Sequence, residues 1–179
     1  MMSLDSLRLG VLVVTLAAAC AADVRRRTVP NALTFPALLL GLTLAGRQGG
    51  APELWRALAG VGVASLALLP YAGRMLGAGD VKLLWAVGAL TGPPFTLWAL
   101  LCSALAGGVL ALAWAARRGV LAHALRSAAL GGQAMLAARS ARAPEGLAAD
   151  SRAGRMPYAP AIALGVVAAA GLRHWGLVP

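Results

Sequence analysis

The run LLWAVGALTGPPFTLWALLCSALAGGVLALAWAA, residues 83–116, contains no charged side chain, and the fold turns on whether it forms one membrane helix or two. A spanning helix uses about 20 apolar residues, with a usual range of roughly 17 to 25, so this run is too long for one ordinary span. The TGPP in its middle, ending in Pro93 and Pro94, breaks a helix because proline removes a backbone donor and collides with the preceding turn. The run therefore divides into Leu83 to Leu90 and Phe95 to Ala116. The first piece is short for a bilayer and needs either burial among neighbouring helices or a locally thinned membrane.

The same hydropathy marks Leu9 to Ala22, Val29 to Gly46, Ala57 to Gly73 and Pro157 to Leu172 as further helices, six in all. The composition agrees: 60% of residues are hydrophobic and 12% are charged, with a mean hydropathy of +0.77, against roughly 25% charged residues in a soluble domain. The expected fold is all-α, a single polytopic membrane domain over residues 1–179 with six transmembrane helices. The formal charge of +10 does not mark a nucleic-acid binder, because the basic residues lie between apolar segments and not along one surface. Cys20 and Cys102 both sit inside apolar runs, and His123 and His174 add no ligand set. No disulfide framework, metal or cofactor is expected.

Lysine and arginine collect in cytoplasmic loops. With six spans, one set of alternate loops holds 12 of them, Arg25 to Arg27, Arg74, Lys82, Arg117, Arg118, Arg126, Arg139, Arg142, Arg152 and Arg155, and the other holds 4, Arg8, Arg47, Arg56 and Arg173, accounting for the 16 present. Both termini are thus expected on the periplasmic side. Counting residues 83–90 as a re-entrant piece would put Arg117 to Arg155 opposite Arg25 to Arg27. The N-terminal run ending LAAAC resembles a secretory signal, but such a signal carries its positive charge first, whereas here Arg25 to Arg27 follow the run. Residues 117–155 form a basic cytoplasmic loop whose first part, RRGVLAHALRSAAL, reads equally as an interfacial helix on anionic lipid or as a plain surface loop.

Ionisable groups beside membrane helices are costly and are functional candidates for that reason. Of six acidic residues, Asp5 and Glu53 fall at external ends, and Glu145 and Asp150 fall in the long loop. Asp23 and Asp80 remain. Alone, Asp23 reads as an ion-pair partner of the adjacent arginines, and Asp80 as a helix N-cap. Together they fall at one cytoplasmic depth, where two close carboxylates cannot both ionise and so share a proton. That is the basis of an aspartic protease: the ionised partner activates water and the protonated one polarises the scissile carbonyl. Gly77 and Gly79, in GAGD, are expected to allow backbone angles closed to other residues and to clear side chains from beside Asp80. A non-enzymatic carrier or assembly scaffold, with the aspartates holding a cation or bracing helices, is the rival reading.

Three stretches, DVRRRTVPN (23–31), GAGDVKLLWAVGAL (77–90) and MPYAPAIALG (156–165), resemble those of prepilin peptidases, the type IV leader peptidase family of GxGD membrane aspartic proteases. The resemblance implies Asp23 and Asp80 as the catalytic pair, with Gly77, Gly79 and Lys82 completing the second motif. It implies that Pro30 and Asn31 open and cap the second helix, and that the turn at Pro157, Tyr158 and Pro160 shapes the site from the opposite side. The implied partners are pilin-like precursors with a short basic leader, a glycine before the cut and a hydrophobic helix after it, together with membrane lipids. The implied location is the bacterial inner membrane. Larger members carry a zinc-binding cysteine region ahead of the first aspartate and also methylate the product. The resemblance here is to the short tight-adherence (Flp) pilus type, with cleavage and no methylation expected.

Overall fold

Every element among the described residues of the computed structural model, residues 4–73, 76–117, 119 and 157–178, is helical or a turn between helices. In chain order these are α1 (Leu4–Arg26), α2 (Asn31–Ala64), a 3-10 turn (Ser65–Ala67), α3 (Leu68–Ala72), α4 (Ala78–Thr91), α5 (Pro93–Arg117) and α6 (Ala159–His174). The chain forms two units, Met1–Gly107 with Pro157–Pro179, and Gly108–Met156. Apart from Arg117 and Gly119, the expected interfacial helix or loop at 117–155 lies outside the described residues.

Three segments, Leu4–Arg26, Asn31–Ala72 and Pro93–Ala113, are long and apolar enough to cross a membrane, and Ala159–His174 is a shorter apolar helix. Their outer faces carry apolar side chains: Val14, Leu39, Leu105 and Val167 are each more than half exposed. Water would penalise so large an apolar exterior, whereas lipid solvates it. This is a membrane protein.

Asn31–Ala72 is not one straight rod. Gly49 (φ −141°, ψ 18°) and Gly50 (φ 63°, ψ −143°) leave helical geometry, and Gly50 takes the left-handed side of φ that glycine adopts without penalty. Gly41 before this break and Gly60 after it both pack on one level of α4, against Ala89 and Gly88. The two arms therefore lie side by side as a hairpin. Hydropathy placed a connection somewhere between Gly46 and Ala57. In the structure helix continues through Arg47 and Gln48, and the turn is confined to the two glycines.

α4 is buried among its neighbours, as its shortness required. Its 14 residues span about 21 Å at 1.5 Å each, and Val81, Leu83, Leu84 and Ala86 through Leu90 are all buried. Lipid supplies no hydrophobic drive between helices, so close packing of small residues must hold them together. The Gly60 and Gly88 backbones meet directly, and a Cβ on either would run into the other's carbonyl group. The expected break at TGPP is present, with a refined cause. Gly92 (φ 78°) makes the turn, and Pro93 starts α5, where a missing N–H costs nothing.

One polar link ties the second arm of α2 to α4: the Trp85 indole N–H donates to Ser65 Oγ at 3.1 Å, and that hydroxyl donates to the Val61 carbonyl at 2.9 Å. Ser65→Ala would leave the indole donor unsatisfied, at a cost of about 1–3 kcal/mol. Thermal unfolding in detergent should show the midpoint lowered by several degrees, at about 2–4 °C per kcal/mol for a chain of this size.

Candidate active site

The inward stripe of α1 is Leu12, Thr15, Leu16, Ala19 and Asp23, all buried. This i, i+3, i+4 spacing puts the Asp23 carboxylate on the same face as the core leucines. Asp23 is 5% exposed, while Arg25, Arg26 and Arg27 beside it are exposed. It makes no ion pair with them, and the salt bridges among the described residues lie elsewhere. Instead, Asp23 Oδ2 accepts the Ala159 backbone N–H at 2.8 Å. Ala159 is the first residue of α6, so this is one of the donors a helix start leaves without an intrahelical partner. A carboxylate near the C-terminal end of α1 is disfavoured by that helix's dipole, and the positive end of α6 offsets it.

Asp80 stands in the first turn of α4 and is 8% exposed. It is not the N-cap. Gly77 holds that position, and Asp80 reaches back so that Oδ2 accepts the Gly77 N–H at 3.1 Å. Asp23 and Asp80 lie near enough to each other for their charges to interact, and Tyr158 lies within the same reach of Asp80. The Tyr158 hydroxyl donates to the Ser103 carbonyl at 3.2 Å, and its ring fills the space that a Cβ on Gly107 would need.

The GAGD glycines are needed for proximity and not for unusual angles. Gly77 has φ −83° and ψ 153°, open to any residue, and Gly79 lies within the helix. A Cβ on Gly77 would stand 2.9 Å from Asp80 Oδ2, and one on Gly79 would stand 3.0 Å from both the Cβ and the carbonyl oxygen of Val29. Gly79 thus lets α4 press against the segment that follows Asp23.

Pro30 is the N-cap of α2 and Asn31 its first residue, so the pair opens the helix as the resemblance implies, though with no side-chain cap hydrogen bond. Asn31 Oδ1 accepts from Lys82 Nζ at 2.9 Å, and that ammonium also lies 5.2 Å from the centre of the Phe35 ring. Lys82 therefore braces α4 on the start of α2 and does not neutralise either aspartate. No group of residues suited to holding a metal occurs among the described residues.

Three distant stretches converge here: α1 with the chain to Pro30, the start of α4, and the start of α6. Sequence reasoning singled out both carboxylates but missed the Ala159 N–H and the packing role of Val29. The proline at 160 was the available signal, since it marks a helix start and so a set of free donors.

Two buried carboxylates from separate helices thus stand inside an apolar helical membrane protein. The family model described as the type IV leader peptidase family matches residues 10–112, more than half of the chain and including Asp23 and Asp80. The chain belongs to that family, which is one of proteases. No curated protein and no solved structure matches it.

Proposed function

We propose that the chain is a membrane aspartic endopeptidase of GxGD type that removes the leader from pilin-like precursors, with Asp23 and Asp80 as its catalytic pair. The observation that carries the reading is the pair itself. Both carboxylates are buried, neither meets a cation among the described residues, and one feels the other's charge. In this reading two carboxylates so placed do not both ionise, and one keeps a proton while the other stays charged. The ionised member takes a proton from water as it attacks, and the protonated member hydrogen-bonds the scissile carbonyl oxygen.

The accompanying topology is six spans with both termini periplasmic and the aspartates at the cytoplasmic rim of the inner membrane. The bends at Gly49–Gly50 and at Gly92 support it, since each reverses the chain where an additional loop is needed. A precursor whose hydrophobic helix lies in the bilayer and whose leader stays inside would bring its scissile bond to this depth. A carrier would more often place such charges on broken helices at the membrane midplane, whereas Asp23 and Asp80 lie near helix ends. Co-expression with precursors of the tight-adherence type, reading leader removal by mass, tests the proposal. Intact leaders on every such precursor, with the enzyme present in the membrane, would count against it.

In this reading Gly77, Gly79, Pro30, Asn31 and Lys82 shape the site without reacting. Lys82→Met and Asn31→Ala should each slow cleavage by only about fivefold, as loss of a partly exposed polar link of about 1 kcal/mol implies. The double variant should be no slower than either single one, because both remove one interaction. Rates of precursor conversion in membranes measure this. A loss with Lys82→Met as severe as with an aspartate variant would instead give the ammonium a direct part in the chemistry.

A further inference from the structure

A cavity of about 560 Å³ opens between the start of α1, the bend of α2, the end of α4 and the end of α6. At 1.5 Å per residue, the stretches from Arg8 to Asp23 in α1 and from Ala159 to Arg173 in α6 put its rim about 21–23 Å from the aspartate site. It is a separate site, in the half of the bundle that would face the other leaflet.

Its walls are apolar, with Leu12, Leu16 and Phe95 on the inside and Leu9, Val13 and Val167 leading outward. The last three are each more than half exposed. Its rim is charged and unbalanced. Arg8, Arg56 and Arg173 face two carboxylates, Glu53 and Asp5, together with His174. Glu53 is shared, lying 3.3 Å from Arg56 Nη1 and 3.8 Å from Arg8 Nη1, while Asp5 accepts from the Gln48 side-chain amide at 2.5 Å. Arg173 meets no carboxylate among the described residues. Arg8 Nε is buried with no hydrogen-bond partner. A surplus of guanidinium beside lipid is unfavourable until an anion completes it, and guanidinium groups suit phosphate oxygens in particular.

We propose that this cavity is a binding site for one anionic phospholipid, with its phosphate on Arg8, Arg56 and Arg173 and an acyl chain along Leu9, Val13 and Val167. The apolar, outward-open wall favours a lipid over a soluble phosphate, and the charge surplus favours an anionic over a zwitterionic headgroup.

The test is native mass spectrometry of the delipidated full-length protein with phosphatidylglycerol, phosphatidylcholine of the same chains, and glycerol 3-phosphate as a soluble competitor. The expected result is one tightly held phosphatidylglycerol, phosphatidylcholine bound at least about tenfold more weakly, and no displacement by glycerol 3-phosphate. Arg173→Gln, which disturbs no ion pair, should weaken phosphatidylglycerol by about fivefold, and Arg56→Gln with Arg173→Gln by about 25-fold, at about 1 kcal/mol per arginine. Val13→Trp should weaken both lipids by obstructing the groove. Equal retention of the two lipids, indifference to the arginine variants, displacement by glycerol 3-phosphate, or a dimer whose formation excludes the lipid would each overturn the proposal. The readout is lipid occupancy, so it stands or falls apart from the proteolytic reading.

Discussion

Replacing either Asp23 or Asp80 with asparagine is expected to leave a folded, membrane-inserted protein that converts precursor to mature pilin about 10²–10⁴-fold more slowly, the usual contribution of a positioned acid or base. The geometry makes the substitution specific to chemistry. Each carboxylate accepts one backbone N–H, from Ala159 at 2.8 Å and from Gly77 at 3.1 Å, and an asparagine carbonyl oxygen can accept the same bond. What asparagine cannot do is take or give the proton that the proposed mechanism has the pair share. Because the two act as a unit, the double variant should be scarcely slower than the worse single one. Alanine differs: Asp23→Ala abandons the Ala159 donor as well, adding an instability of about 1–3 kcal/mol. Gel-shift separation of precursor and mature pilin, read beside the melting midpoint, distinguishes these cases. Full processing by Asp23→Asn or by Asp80→Asn would remove that residue from the catalytic pair.

Legibility in the sequence followed the range of the interaction. The turn before α5 could be read because glycine and proline act within a few residues, and the structure changes only the division of labour, with Gly92 turning and Pro93 starting the helix. The bend in α2 was harder to locate, since Arg47 and Gln48 look like loop by hydropathy while their backbone stays helical up to Gly49. Asp23 and Asp80 stood out because a charge in such a chain is rare. The anchor of Asp23 did not stand out. It is a main-chain N–H 136 positions away, and every residue except proline has one, so no residue type advertises it. The contact of Asn31 was hidden for a related reason. The resemblance implied that Pro30 and Asn31 open and cap α2; Pro30 takes the cap position, which leaves the Asn31 amide for Lys82.

The glycines of GAGD give the second large effect. Gly77→Ala is expected to lower kcat/KM by about 100-fold, some 2.7 kcal/mol of transition-state stabilisation, while stability stays within about 1 kcal/mol of the parent. Alanine adopts φ −83° and ψ 153° without strain. Its smaller unfolded-state entropy offsets its weaker performance as an N-cap. The fold therefore has little reason to object. The new methyl group, however, would stand 2.9 Å from Asp80 Oδ2, so the carboxylate must swing away from the Gly77 N–H and out of the position in which the proposed mechanism uses it. Gly79→Ala tests the other half of the motif, since its methyl group meets the Val29 backbone oxygen at 3.0 Å. Backbone cannot rotate aside as a side chain can, so that variant should lose stability together with activity. If glycine were present for its angles, Gly77→Ala would instead melt early while its surviving folded fraction cleaved normally. Measuring melting midpoint and precursor conversion on the same preparation separates a misplaced carboxylate from a strained turn.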